Sequence, residues 1–158
     1  MKQKTQLASL LILIAATITA VSCKKEGGAQ TKQKTNTELL TAGSWKRTSF
    51  VSDPAYDLYG DGNYATNLLT ITKPCELDDF ETYYTDGTWE VNAGPTRCNE
   101  SDPQARTLPW AFTENETKIV FNGWDEYIVV ELTATTLKLG QAFLQNGVLY
   151  QQDQTYTH

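Results

Sequence analysis

Few side chains in this sequence could do chemistry. His158, its last residue, is its only histidine. No Ser-His-Asp or Cys-His arrangement is therefore expected, and no histidine-based zinc site in the folded core. Asp78, Asp79 and Glu81 stand close enough for a paired-carboxylate hydrolase. Such clusters are ordinarily solvated faces, and no enzyme is expected. Asp57, Asp61, Gly62 and Asn63 follow part of the ligand spacing of a calcium loop. Tyr59 and Leu68 fill the third and twelfth positions, where an oxygen donor and a glutamate belong. The loop reads first as a Gly/Asp-rich turn, so no cofactor is expected and calcium is the lesser alternative. Glu126 is the oddest placement. If Asn122-Gly123 forms a two-residue turn, Glu126 shares a face with Ile119, Phe121, Trp124, Ile128, Val130 and Leu132. A carboxylate on an apolar face orients a ligand or needs a partner. The favoured competing reading is a barrel rim where Glu126 reaches water, or a longer turn.

Cys23 carries chemistry of another kind. Lys2 and Lys4 precede an apolar run, Leu7 to Ala20, too short for a spanning helix. The run ends Ala20-Val21-Ser22-Cys23 and resembles the lipobox of bacterial lipoprotein signals. The resemblance implies cleavage after residue 22 and acylation of Cys23, with the bilayer as partner and the cell envelope, most simply the outer membrane, as location. Residues 24–38 are polar and lack aromatics. They read as a disordered tether with a span of about 20 Å. The remaining domain, 39–158, is ample for one core. Six of the 13 Lys and Arg residues precede Glu38, but only one of the 19 Asp and Glu does. So acidic a domain is not expected to bind nucleic acid, which requires a basic footprint.

Cys75 and Cys98 remain for a disulfide in an exported chain. Asp86-Gly87 suits a two-residue hairpin turn between Thr85 and Thr88. Partners in such a hairpin share a constant index sum, and Cys75 and Cys98 have the sum of Thr85 and Thr88. That register places Phe80, Thr82 and Tyr84 opposite Ala93, Val91 and Trp89 on one apolar face. Asp79, Glu81, Tyr83 and Thr85 then fall on the polar face.

The other segments also read as strands: Trp45–Val51, Leu68–Thr72, Leu108–Thr113, Lys118–Phe121, Trp124–Leu132, Leu137–Leu139, Ala142–Leu144 and Val148–Gln152. β-Branched and aromatic residues dominate them, and Gly-containing turns separate several neighbours. Only Thr37–Thr41 suggests a helical turn. The expected fold is all-β: an antiparallel meander closed into a small barrel of about eight strands.

Gly43-Ser44-Trp45 opens the first strand and resembles the Gly-x-Trp signature of lipocalins. The wider run resembles bacterial lipocalin-like domain lipoproteins through LLTAGSWKRTSF, DLYGDG, PCELDDFETYYTDGTWEV, WAFTENETKIVF and YIVVELTATTLKL. The resemblance implies that Gly43 and Trp45 belong to the closed base of an up-and-down barrel. It places the Asp53–Asn67 loop at the open end. No arginine follows Arg106 to stack on Trp45, and the domain is shorter than a typical lipocalin. Two functions follow. The first is a membrane-anchored protein binding a small hydrophobic ligand among Phe80, Tyr84, Trp89, Phe121, Ile128 and Val130, with Glu126 as its polar handle. The second is a structural or interaction module of the envelope, its barrel filled by its own side chains.

Overall fold

The computed structural model describes residues 33–158. The lipobox-like run with Cys23, and the tether up to residue 32, lie outside the described residues. The described chain begins with a short capped helix, α1 (Asn36–Leu40). The Thr35 hydroxyl accepts the Glu38 N–H at 3.1 Å, and the Glu38 carboxylate accepts the Thr35 N–H at 2.8 Å. This reciprocal cap satisfies two backbone donors that have no helical partner. The helix delivers Leu40 to the core, and the Trp45 indole donates to the Leu40 carbonyl at 2.8 Å.

Nine strands follow: β1 (Ser44–Asp57), β2 (Tyr64–Asn67), β3 (Phe80–Tyr83), β4 (Thr88–Asn92), β5 (Ala105–Thr113), β6 (Lys118–Phe121), β7 (Asp125–Leu132), β8 (Thr136–Gln145) and β9 (Val148–Thr157). All paired strands are antiparallel. β1 pairs with β3 through Ser44–Lys46, with β9 through Lys46–Asp53, and with β2 from Val51 onward. The β1–β9 seam closes β1 and β3–β9 into an eight-stranded barrel, and β2 extends one end of β1. Closure is how a sheet with this many strands avoids exposed edges.

Trp45, Leu40, Ile119 and Leu137 fill the closed base, next to α1. His158 covers Trp45 with ring centroids 3.8 Å apart, and its Nδ1 lies 2.8 Å from the Ser44 carbonyl. The terminal imidazole thus packs where the resemblance calls for an arginine. Gly43 makes room for it: a Cβ there would meet the His158 ring at 3.0 Å.

Several segments differ from expectation. Leu68–Thr70 is a 3-10 turn rather than a strand, with the Asn67 side chain accepting the Leu69 N–H. Leu68 is fully buried beneath it. β2 forms inside the segment read as a loop. Leu137–Leu139 and Ala142–Leu144 are parts of one strand, β8.

Two turns hold one residue more than expected. Tyr83 pairs with Trp89, not Tyr84 with Trp89. The Tyr84 N–H donates to Thr88 O, Gly87 adopts φ 84°, and Asp86 Oδ1 accepts the Thr88 N–H. This is a three-residue loop with a glycine bulge, the alternative use of an Asp-Gly pair. At the other turn, Asn122 and Gly123 both have positive φ, but Trp124 is an extra residue and Phe121 pairs with Asp125. In both hairpins the first apolar contact expected across the turn slips by one, which turns a strand over. β4 and β6 keep their expected faces, while β3 and β7 are inverted. Asn146-Gly147 does form the tight two-residue turn, with Gln145 opposite Val148.

Cys75 and Cys98 are bonded, with Cα atoms 5.2 Å apart. The pairing is as expected, but the ladder that suggested it is not. β3 and β4 end at Phe80 and Asn92, and the bridge joins the loops beyond them. These loops lie at the mouth of the barrel, at the far end from α1.

Candidate functional site

Inversion of β3 puts Glu81 and Tyr83 inside the barrel and leaves Phe80, Thr82 and Tyr84 on the other face. Tyr84 is exposed and Tyr83 is buried. Inversion of β7 points Tyr127 and Val129 inward, where they pack against the core. Glu126, Ile128 and Val130 face outward. Glu126 Oε1 instead pairs with Lys118 Nζ at 2.8 Å on the outer surface. Glu114 holds the same ammonium at 2.8 Å, and the two carboxylates push the Lys118 pKa up to about 12. Of the six apolar residues expected around a ligand, only Trp89 and Phe121 line the lumen. Ile128 and Val130 line a groove of about 500 Å³ on the outer wall, floored by Gly140 and Ala142.

The lumen holds two chambers. The lower, about 260 Å³, is bounded by Arg47, Phe50, Glu81, Trp89, Phe121, Tyr127, Leu139, Gln154 and Tyr156. The upper, about 180 Å³, shares Arg47, Glu81, Trp89 and Tyr156 with it and adds Leu69, Glu76, Leu77, Asp79 and Val91. A third cavity of about 300 Å³ lies against the Cys75–Cys98 bridge and shares Glu76, Asp79 and Val91 with the upper chamber. Overlapping walls therefore run from the disulfide-clamped mouth to the middle of the barrel.

Glu81 is the centre of this arrangement. The barrel surrounds it, and its residual exposure is toward the chambers. Its Oε2 accepts the Tyr83 hydroxyl at 2.7 Å and the Trp89 indole N–H at 3.1 Å. Neither donor reaches Oε1. Desolvation holds its carboxyl above the usual range; the Tyr83 hydroxyl, the charge of Arg47, Tyr156 and Trp89 partly offset that rise. Burial and the Glu81 charge push the Tyr83 and Tyr156 phenols well above their ordinary value, so both remain proton donors. Gln154 Oε1 accepts from Tyr156 at 2.7 Å and from Arg47 Nη1 at 3.3 Å. Arg47 also lies over the Phe50 ring, 4.9 Å from its centroid. Among the described residues, no ion pair within 4 Å joins Arg47 to Glu81.

Arg47, Tyr127, Gln154 and Tyr156 were not singled out from sequence, and Glu81 only as part of an acidic cluster with Asp78 and Asp79. Glu81 had been assigned to a solvated face by the one-residue slip. Gln152, Gln154 and Tyr156 share parity along β9 and are buried, but two of the three are polar, so alternation of apolar and polar residues does not mark this face.

The Asp57 loop is closed by its own backbone. Asp57 accepts the N–H groups of Gly60, Asp61 and Gly62 at 2.8, 3.2 and 2.8 Å, and Asp61 accepts that of Asn63 at 3.0 Å. These bonds, that of Gly62 foremost, lower the Asp57 pKa. Both Asp57 oxygens thus accept from the backbone of the turn, and no group of three or more His, Cys, Asp or Glu side chains placed to hold a metal forms among the described residues. No protein-family model and no curated protein matches the chain.

Proposed function

We propose that this chain is a lipid-anchored, lipocalin-like binding protein of the cell envelope whose barrel lumen holds a small, largely hydrophobic ligand. The observation carrying this reading is the pair of overlapping chambers inside the closed barrel. Their walls combine aromatic and aliphatic surface with a few convergent polar groups, as ligand pockets do. The lipobox-like run at Cys23 supports the anchor, and the order of matching stretches supports the lipocalin-like resemblance. α1, the first described element, packs at the closed base, opposite the mouth. The ligand is compact: each chamber is smaller than the pockets of about 300–1,000 Å³ that hold drug-sized molecules.

One observation favours a second reading, an envelope interaction module. The outer groove at Gly140 is larger than either lumen chamber, and Ile128, Val130, Leu144 and Leu149 are more than half exposed on the outer wall. Native mass spectrometry of the full chain from its own cells separates the two. A retained small molecule, displaced when Leu139→Trp fills the lower chamber, supports lumen binding. An empty protein that carries a stoichiometric protein partner supports the module.

A further inference from the structure

The chambers carry a charge pattern that narrows the ligand, provided that the lumen-binding reading above holds. The upper chamber is bordered by three carboxylates, Glu76, Asp79 and Glu81, and one guanidinium, Arg47. Lys73 answers Glu76 from the rim at 3.6 Å. Arg47 is engaged by Gln154 and Phe50. The Arg47 charge reaches both Glu81 and Asp79, but among the described residues neither makes an ion pair within 4 Å. Asp79 Oδ1 is a buried acceptor with no hydrogen-bond partner, which is rare and costly in a folded protein. Desolvation, Asp78 and Glu76 raise the Asp79 pKa. Both carboxylates therefore lack a donor that bears positive charge.

The walls beneath them are aromatic. Trp89 and Phe121 have ring centroids 4.6 Å apart, and Phe121 and Tyr127 5.6 Å. A ligand ring among such faces gains edge-to-face and offset contacts beyond its buried area. A carboxylate combined with aromatic faces selects an organic ammonium over a neutral or anionic analogue.

We propose that the lumen ligand is a small aromatic amine, its ring against Trp89, Phe121 and Tyr127 in the lower chamber and its ammonium between Glu81 Oε1 and Asp79. It enters beneath the Cys75–Cys98 bridge, past Glu76. Arg47 positions Gln154 and Tyr156 and does not contact the ammonium.

The test is isothermal titration of the full-length protein with three probes of matched shape: 2-phenylethylamine, 2-phenylethanol and 3-phenylpropionate. The amine should bind about tenfold or more tightly than the other two. Glu81→Gln and, separately, Asp79→Asn should each weaken the amine about tenfold and leave the alcohol unchanged. Asp79 sits at the mouth, so its variant tests the idea independently of any change in the barrel interior at Glu81. If the alcohol or the acid binds as well as the amine, or if both variants keep amine affinity, the cation preference is overturned and lumen binding stands. If no probe binds, the inference falls, and lumen binding is judged by the retained ligand alone.

Discussion

Glu81 sets a cost that depends on pH. Its carboxyl is raised by burial, so the folded protein takes up its proton more readily than the unfolded chain does. Stability therefore falls as pH rises from the ordinary carboxylate value through the raised one, and the loss is complete above it. The groups facing Glu81 are Arg47 on β1, Tyr83 on β3, Trp89 on β4, Tyr127 on β7 and Tyr156 on β9. Glu81→Gln keeps an oxygen for both Tyr83 and Trp89 and removes the charge. The variant should be more stable than wild type near about pH 7, and the two should converge below about pH 4. Urea midpoints across that range measure it, and a gap that stays constant with pH would contradict the desolvation argument. At the base of the barrel, His158 contributes one face of a ring stack to Trp45. His158→Ala should cost about 1 kcal/mol, read from the thermal midpoint.

At the scale of elements, strand identity was legible in the sequence except at β2 and Leu68–Thr72, and strand facing only half so. β4, β6 and the β8–β9 hairpin follow from alternation and from Asn146-Gly147. β3 and β7 do not, because Asp-Gly and Asn-Gly serve both a two-residue turn and a longer one with a bulge. The local residues satisfy both, and the choice is made by what each register buries. In β3 the true register hides Tyr83 and accepts Glu81, whose Oε2 is met by Tyr83 and Trp89. The sequence rule that apolar residues share a face chose Phe80 and Tyr84 instead. The polar half of the candidate site was lost with that choice, while its aromatic half, Trp89 and Phe121, was kept. Glu126 tests the inverted β7. It lies outside, itself exposed and paired with the half-buried Lys118, so Glu126→Gln should change stability by no more than about 0.5 kcal/mol and leave lumen binding intact. A large loss of binding would mean that β7 carries the opposite face inward.

At the scale of the whole molecule, the mouth is shaped by long loops and the base by packed strands. The Cys75–Cys98 bridge holds the two mouth loops together, closing a segment of 23 residues. Cys75→Ser with Cys98→Ser should lower stability by roughly 3 kcal/mol and loosen the mouth. Hydrogen exchange should then rise in residues 68–79 and 93–104 before it rises in β8 or β9. Uniform loosening would mean that the loops are held by other contacts. The seam between β1 and β9 has a consequence for assembly in time. Lys46 meets Thr157, so the strand made first must wait for the strand made last. Until β9 joins it, one edge of β1 is open, and the contacts that seal it span nearly the whole domain. Chains with such distant pairings fold slowly and expose sticky edges while they wait. The β3–β4 hairpin and its neighbours can form early from local pairings, but the lumen exists only once β9 has joined β1. No ligand that requires the lumen can assist the chain before then.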